Sequence, residues 1–102
     1  MDLIESWGVD TESAAFYHPS SGGYVKDPVP VSLTSDWQTF SLYWTSSEME
    51  IFVGTTNIMT ITSNVPQQEM YFIANVAENQ PPAPGNCTGE LDIRSLKYWK
   101  LS

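Results

Sequence analysis

The sequence predicts an all-β protein, an antiparallel sandwich or barrel. Three observations lead there. No segment of useful length repeats apolar residues at helical spacing, period-two alternation recurs instead, and turn-forming clusters punctuate it at regular intervals.

The first expected strand is MDLIESW, in which Asp2 and Glu5 stand among Met1, Leu3, Ile4 and Trp7. An ionised carboxylate left alone in apolar company costs several kcal/mol or shifts its pKa, so both groups need a partner or a task. They are three residues apart, an odd separation that sends side chains of a regular strand to opposite faces. Two readings follow from this spacing. A β-bulge at Leu3–Ile4 would bring both carboxylates onto one face. Otherwise Asp2 frays into solvent at the chain end while Glu5 packs or pairs.

His18 closes AAFYH at a strand end, and HPSSGG (18–23) and DPVP (27–30) read as turns. In WQTFSLYWT, Phe40, Leu42 and Trp44 share one face, opposite Thr39, Ser41, Tyr43 and Thr45. After a turn at TSSE (45–48), Met49, Ile51 and Val53 alternate with Glu50 and Phe52. GTTN (54–57) turns again, and Ile58, Thr60 and Thr62 oppose Met59 and Ile61. NVPQ (64–67) is the next turn. It leads into EMYFIANVA, apolar enough on both faces for a central or stacked strand. The prolines and glycines of ENQPPAPGNCTGE (78–90) exclude both helix and inner strand. A last alternating run is ELDIRSLKYWK, and Trp44, Phe40 and Phe72 are read as core.

At 102 residues the chain reads as a single all-β unit, 1–102, or as a piece of a larger domain. Twelve acidic against four basic residues give a net charge of −8. That argues against nucleic acid, which needs a basic footprint, and against an anionic membrane surface. No run approaches the roughly 18 apolar residues of a membrane helix, and the N-terminus lacks a basic n-region with an apolar h-region, so any export signal was removed, lies outside these residues or never existed. The lone Cys87 permits no internal disulfide and, beside one His, makes a zinc site improbable; it reads as a small loop residue. Aromatics make up 13% of the chain, more than a core this small requires, so some are expected to form a surface where flat ligands stack.

Taken in order, four motifs resemble the C-terminal half of the catalytic domain of glycoside hydrolase family 16. These are the laminarinase- and lichenase-like jelly rolls of concanavalin A-like fold. MDLIESWG resembles the family's Glu-x-Asp-x-x-Glu strand from the x onward. SDWQTFSLYWTSSEMEIFVG is similar to its aromatic strand pair closing on Gly, NVPQQEMYFIANVA to a strand ending Asn-x-Ala, and LDIRSLKYWK to its closing strand.

The resemblance implies a retaining endo-β-glycanase acting on β-1,3- or mixed-linked glucan or a galactan. Glu5 would be the general acid/base and Asp2 the supporting carboxylate, while the nucleophilic Glu would precede Met1. Retaining chemistry needs two carboxyl groups about 5–5.5 Å apart, so without that nucleophile negligible turnover is expected. Trp7 would stack on sugar or pack in the core. His18 lies where relatives often place a cleft residue, or else caps a strand at the surface. Asn75 matches a cleft-lining Asn able to bond hydroxyls.

Three departures bear on the function. Gln38 stands where the family commonly has His, Tyr43 where it has Glu, and Arg94 where many members have a calcium-binding Asp. Arg offers no oxygen ligand, so no metal and no cofactor is expected. Family members are about twice as long, so a second chain or an N-terminal half would complete the sandwich. The expected partner is a polysaccharide and the expected location extracellular or surface-associated. Asn86-Cys87-Thr88 fits the glycosylation pattern, which matters only in a secretory pathway. The competing expectation, from a different class, is a non-catalytic carbohydrate-binding or structural sandwich, such as a phage tail or adhesion module.

Overall fold

The structure is a computed structural model describing residues 1–6, 13–75 and 90–100. It is all-β: six strands form two three-stranded antiparallel sheets, with no helix among the described residues. The chain divides into two compact units, Met1–Gln68 and Glu69–Ser102.

The first unit contains all six described strands. Sheet A runs in the order β1 (Asp2–Glu5), β2 (Ala14–Tyr17), β3 (Val25–Pro28). Sheet B runs β4 (Phe40–Trp44), β5 (Met49–Val53), β6 (Thr56–Ile61). Ala15 and Tyr17 of sheet A share one core cluster with Met49, Ile51, Met59 and Ile61 of sheet B. Met1, Leu3, Leu42, Trp44, Ile58 and Val65 pack around that cluster. Two apolar faces thus close on each other, the arrangement that a half-buried alternating strand demands.

Sheet B follows the period-two pattern closely. Leu42, Ile51 and Met59 form one cross-strand row and Trp44, Met49 and Ile61 the next, all on the core side. Two short turns connect the strands. At 45–48, Thr45 N–H donates to the Glu48 carbonyl at 2.9 Å, and the Thr45 hydroxyl accepts from the N–H groups of Ser47 and Glu48. That is the local hydroxyl-to-backbone bonding that favours Thr in turns. At 54–55, Gly54 takes φ +57 at the first central position of a two-residue hairpin, where a left-handed residue is required.

Three features depart from the sequence pattern. The pairing of β5 with β6 slips after Ile51↔Met59, leaving Ile58 as an extra residue before Phe52↔Asn57. This bulge turns Ile58 to the core, whereas strict alternation puts it outward with Thr60. DPVP is not simply a turn, because Asp27 and Pro28 finish β3 opposite Ala15 and Ala14. β3 is an edge strand, the one place in a sheet where a missing N–H is tolerated. Finally, residues 69–75 and 90–100, expected as strands, lie in no ladder, and Phe72 is exposed rather than core. A strand apolar on both faces needs flanking strands and two covering layers. The six described strands of the first unit pair only with one another, so these runs gain no flanking strand from them.

Buried polar groups in the first unit find partners. Tyr17, nearly fully buried, donates its hydroxyl to the Asn64 carbonyl, and Asn64 adopts φ +55 just beyond β6. Trp44 Nε1–H donates to the Pro66 carbonyl at 3.1 Å, tying the segment after β6 to β4. Trp44→Phe removes this bond and some ring volume. It is expected to cost roughly 1–2 kcal/mol, seen as a lower urea midpoint at unchanged slope.

Candidate functional site

The candidate residues of the first unit meet on the outer face of sheet A, opposite the core cluster. Ala15 and Tyr17 point into the core, so Ala14 and Phe16 line the other face. Asp2 pairs with Phe16 and Glu5 with Ala14, three residues of β1 spanning two of β2. The register therefore slips by one residue between Asp2 and Glu5. Because Phe16 and Ala14 are two apart, they share a face, and the slip sets both carboxylates on that face. Leu3 between them packs against the core, as the opposite face requires.

His18 joins the same face. Its Nε2 lies 3.3 Å from Asp2 Oδ2, a separation at which a protonated imidazole pairs with the carboxylate. Both side chains are about half exposed, so solvent screens the pair and its weight in stability is small. The imidazole also lies parallel to the Phe16 ring, centroids 6.0 Å apart and planes within 4°. Tyr24, at the far end of the hairpin, tilts against both rings at the same 6.0 Å. From β3, Lys26 sets its Nζ 5.4 Å from the Phe16 centroid, within cation–π range.

The face is thus ordered in rows along β2. Glu5, Ala14 and Pro28 form one row; Asp2, Phe16 and Lys26 the next; His18 and Tyr24 flank the end of the ladder. Glu5 is half-buried, and its carboxylate meets no hydrogen-bond partner among the described residues. Nearby, buried Ser13 donates to the Ser6 hydroxyl at 2.9 Å, and its carbonyl accepts from Val29 N–H, fixing the mouth of the β2–β3 hairpin. A carboxyl group, a carboxylate beside an imidazole, and a cluster of aromatic rings are the groups that proton transfer to, and stacking on, a sugar use.

Of the other expected residues, Trp7, Cys87 and Asn86-Cys87-Thr88 lie outside the described residues, as does most of the 78–90 loop. Asn75 belongs to the second unit, where it is exposed and outside any strand. Also in that unit, the exposed Glu90 carboxyl is raised above its ordinary value, because in its protonated form it donates a hydrogen bond to Asp92 and because the Asp92 charge lies nearby. Gln38 donates its amide to the Ser32 carbonyl at 3.2 Å, and Tyr43 is exposed opposite Glu50. No cluster of three or more His, Cys, Asp or Glu able to hold a metal ion occurs among the described residues. Among the described residues no helix is long and apolar enough to cross a membrane.

Sequence reasoning passed over Phe16, Tyr24 and Lys26. Parity along AAFYH, continued through the GG turn into YVK, carries the signal, since it places Phe16, His18, Tyr24 and Lys26 on one side. Comparison with known proteins finds no matching family model, no matching curated protein and no matching solved structure.

Proposed function

We propose that the outer face of sheet A is a β-glycan site of the family-16 type, with Glu5 as general acid/base and Asp2 as supporting carboxylate. The observation behind this reading is the register slip that sets Asp2 and Glu5 on one face of β1. In Glu-x-Asp-x-x-Glu, the first Glu lies two residues before Asp2, so period two gives it the same face. The slip adds Glu5, and the three carboxyl groups of a retaining site then line one surface. His18 Nε2 stands 3.3 Å from Asp2 Oδ2 on the same face.

The chemistry of that site is a displacement with balanced proton flow. In a polypeptide with Glu immediately before Met1, that carboxylate would attack the anomeric carbon as the glycosidic C–O bond breaks. Glu5 gives its proton to the leaving oxygen and then, as a carboxylate, takes one from the water that releases the sugar. Glycan binding by itself needs only the face described above.

Affinity electrophoresis of the chain through gels containing laminarin or lichenan, with retention on agarose beads beside it, tests the reading. Retardation by at least one glycan is the expected result. Free migration in all three would leave a β-sandwich with no glycan site.

A further inference from the structure

We propose that Tyr24 and His18, with Phe16 as their floor, form a stacking platform for one sugar of an oligosaccharide that runs along β2 toward Glu5. The proposal deepens the glycan reading above and rests on it.

The geometry of the β2–β3 hairpin is the starting point. The ladder ends at Tyr17↔Val25, and the connecting segment turns through Gly22 (φ +95) and Gly23 (φ +76), with Gly22 N–H donating to the Pro19 carbonyl at 3.0 Å. Only glycine takes such φ values without strain, so the pair delivers the chain to Tyr24 at a fixed place. There the ring comes within 6.0 Å of both His18 and Phe16, tilted 45° and 47° to them. Phe16 is buried, His18 is half-exposed, and Tyr24 remains 65% exposed despite lying in a cluster of three rings. An aromatic ring steadied by two others and still open to water presents a rigid apolar surface at little further entropic cost. The C–H face of a pyranose fits such a surface.

The rows on sheet A set the length of the ligand. Glu5 stands beside Ala14, and the His18–Tyr24 pair lies four residues further along the β2 line, about 13 Å at strand rise. A single sugar cannot touch both ends. An oligosaccharide can, with one ring over Tyr24 and a later one beside Glu5, passing Asp2 on the way.

Isothermal titration of the full chain with laminari- and cello-oligosaccharides, from one to six sugars, tests this. Affinity should be undetectable for the monosaccharide and rise with length until the oligomer spans both rows. Tyr24→Ala should weaken the long oligomers roughly fivefold to tenfold, while Tyr24→Phe, which keeps the ring, stays within about twofold. Because Tyr24 is exposed, circular dichroism of both variants should match the unaltered chain. Equal losses in Ala and Phe would overturn stacking in favour of a hydroxyl contact. Unchanged affinity in Tyr24→Ala, or monosaccharide binding as tight as that of the hexamer, would overturn the platform while leaving the glycan reading intact. No binding of any oligomer by the unaltered chain would overturn both.

Discussion

Replacing Ile51 by alanine is expected to remove a large share of the first unit's stability. Ile51 is fully buried at the centre of β5, between Leu42 on one neighbour and Met59 on the other, and belongs to the cluster that joins the two sheets. Removing its side chain beyond Cβ costs the transfer free energy of the lost atoms plus the cavity they leave, together about 2–5 kcal/mol. Small domains have only about 5–15 kcal/mol in total, and one of this size falls toward the lower end. The site also closes poorly over a cavity, since its cross-strand neighbours are held by the ladder on both sides. Ile51→Val, by contrast, keeps the branched shape and should cost about 0.5–1.5 kcal/mol. Urea titrations followed by tryptophan fluorescence separate the cases. Trp44 packs against the cluster and reports its loss. If the alanine variant kept a midpoint near that of the unaltered chain, the two sheets would not be sharing this core.

That core was readable in the sequence because burial and period two coincide. Met49, Ile51 and Val53 alternate with polar or half-exposed neighbours, and the turns at 45–48 and 54–55 carry their own Thr and Gly signals. The slip in β1 was also signalled, because two carboxylates at an odd spacing in an apolar strand conflict with regular alternation. The Ile58 bulge had no such marker. NIMTI reads as a regular strand whichever residue is extra, and only the pairing with β5 decides it. β3 was hidden by its proline, which is compatible with an edge but resembles a turn in isolation. The runs at 69–75 and 90–100 failed in the opposite sense. Their side chains suit a strand, but a ladder belongs to two segments, and alternation in one says nothing about the other. The site divides the same way. Asp2, Glu5 and His18 were found as chemical types, while Tyr24 reached the face only through a hairpin whose far strand was not anticipated.

If the proposed chemistry is right, the polypeptide carrying Glu immediately before Met1 hydrolyses a β-glycan with retention, and Glu5→Gln in that background slows it about 10²–10⁴-fold. The added Glu occupies the one position that period two places beside Asp2 on the side of Phe16. Gln matches Glu in size and still fits beside Ala14, but it has no proton to give, so the loss falls on the chemical step. The choice of substrate separates this role from a structural one. Glycosides of an alcohol or a second sugar leave only when protonated, whereas nitrophenolate departs unaided. Glu5→Gln should therefore cut hydrolysis of the glycan by the full factor and barely affect the first-turnover burst of nitrophenolate, while later turnovers slow because the water of the second step has lost its base. Ala in place of the added Glu should remove both activities, since neither substrate then meets an attacking carboxylate. A Glu5→Gln variant that slowed the nitrophenolate burst as much as glycan hydrolysis would mean that Glu5 holds the strand rather than the proton. In that outcome the half-buried carboxyl beside Ala14 would be a packing residue, and the acid of the reaction would have to be sought elsewhere.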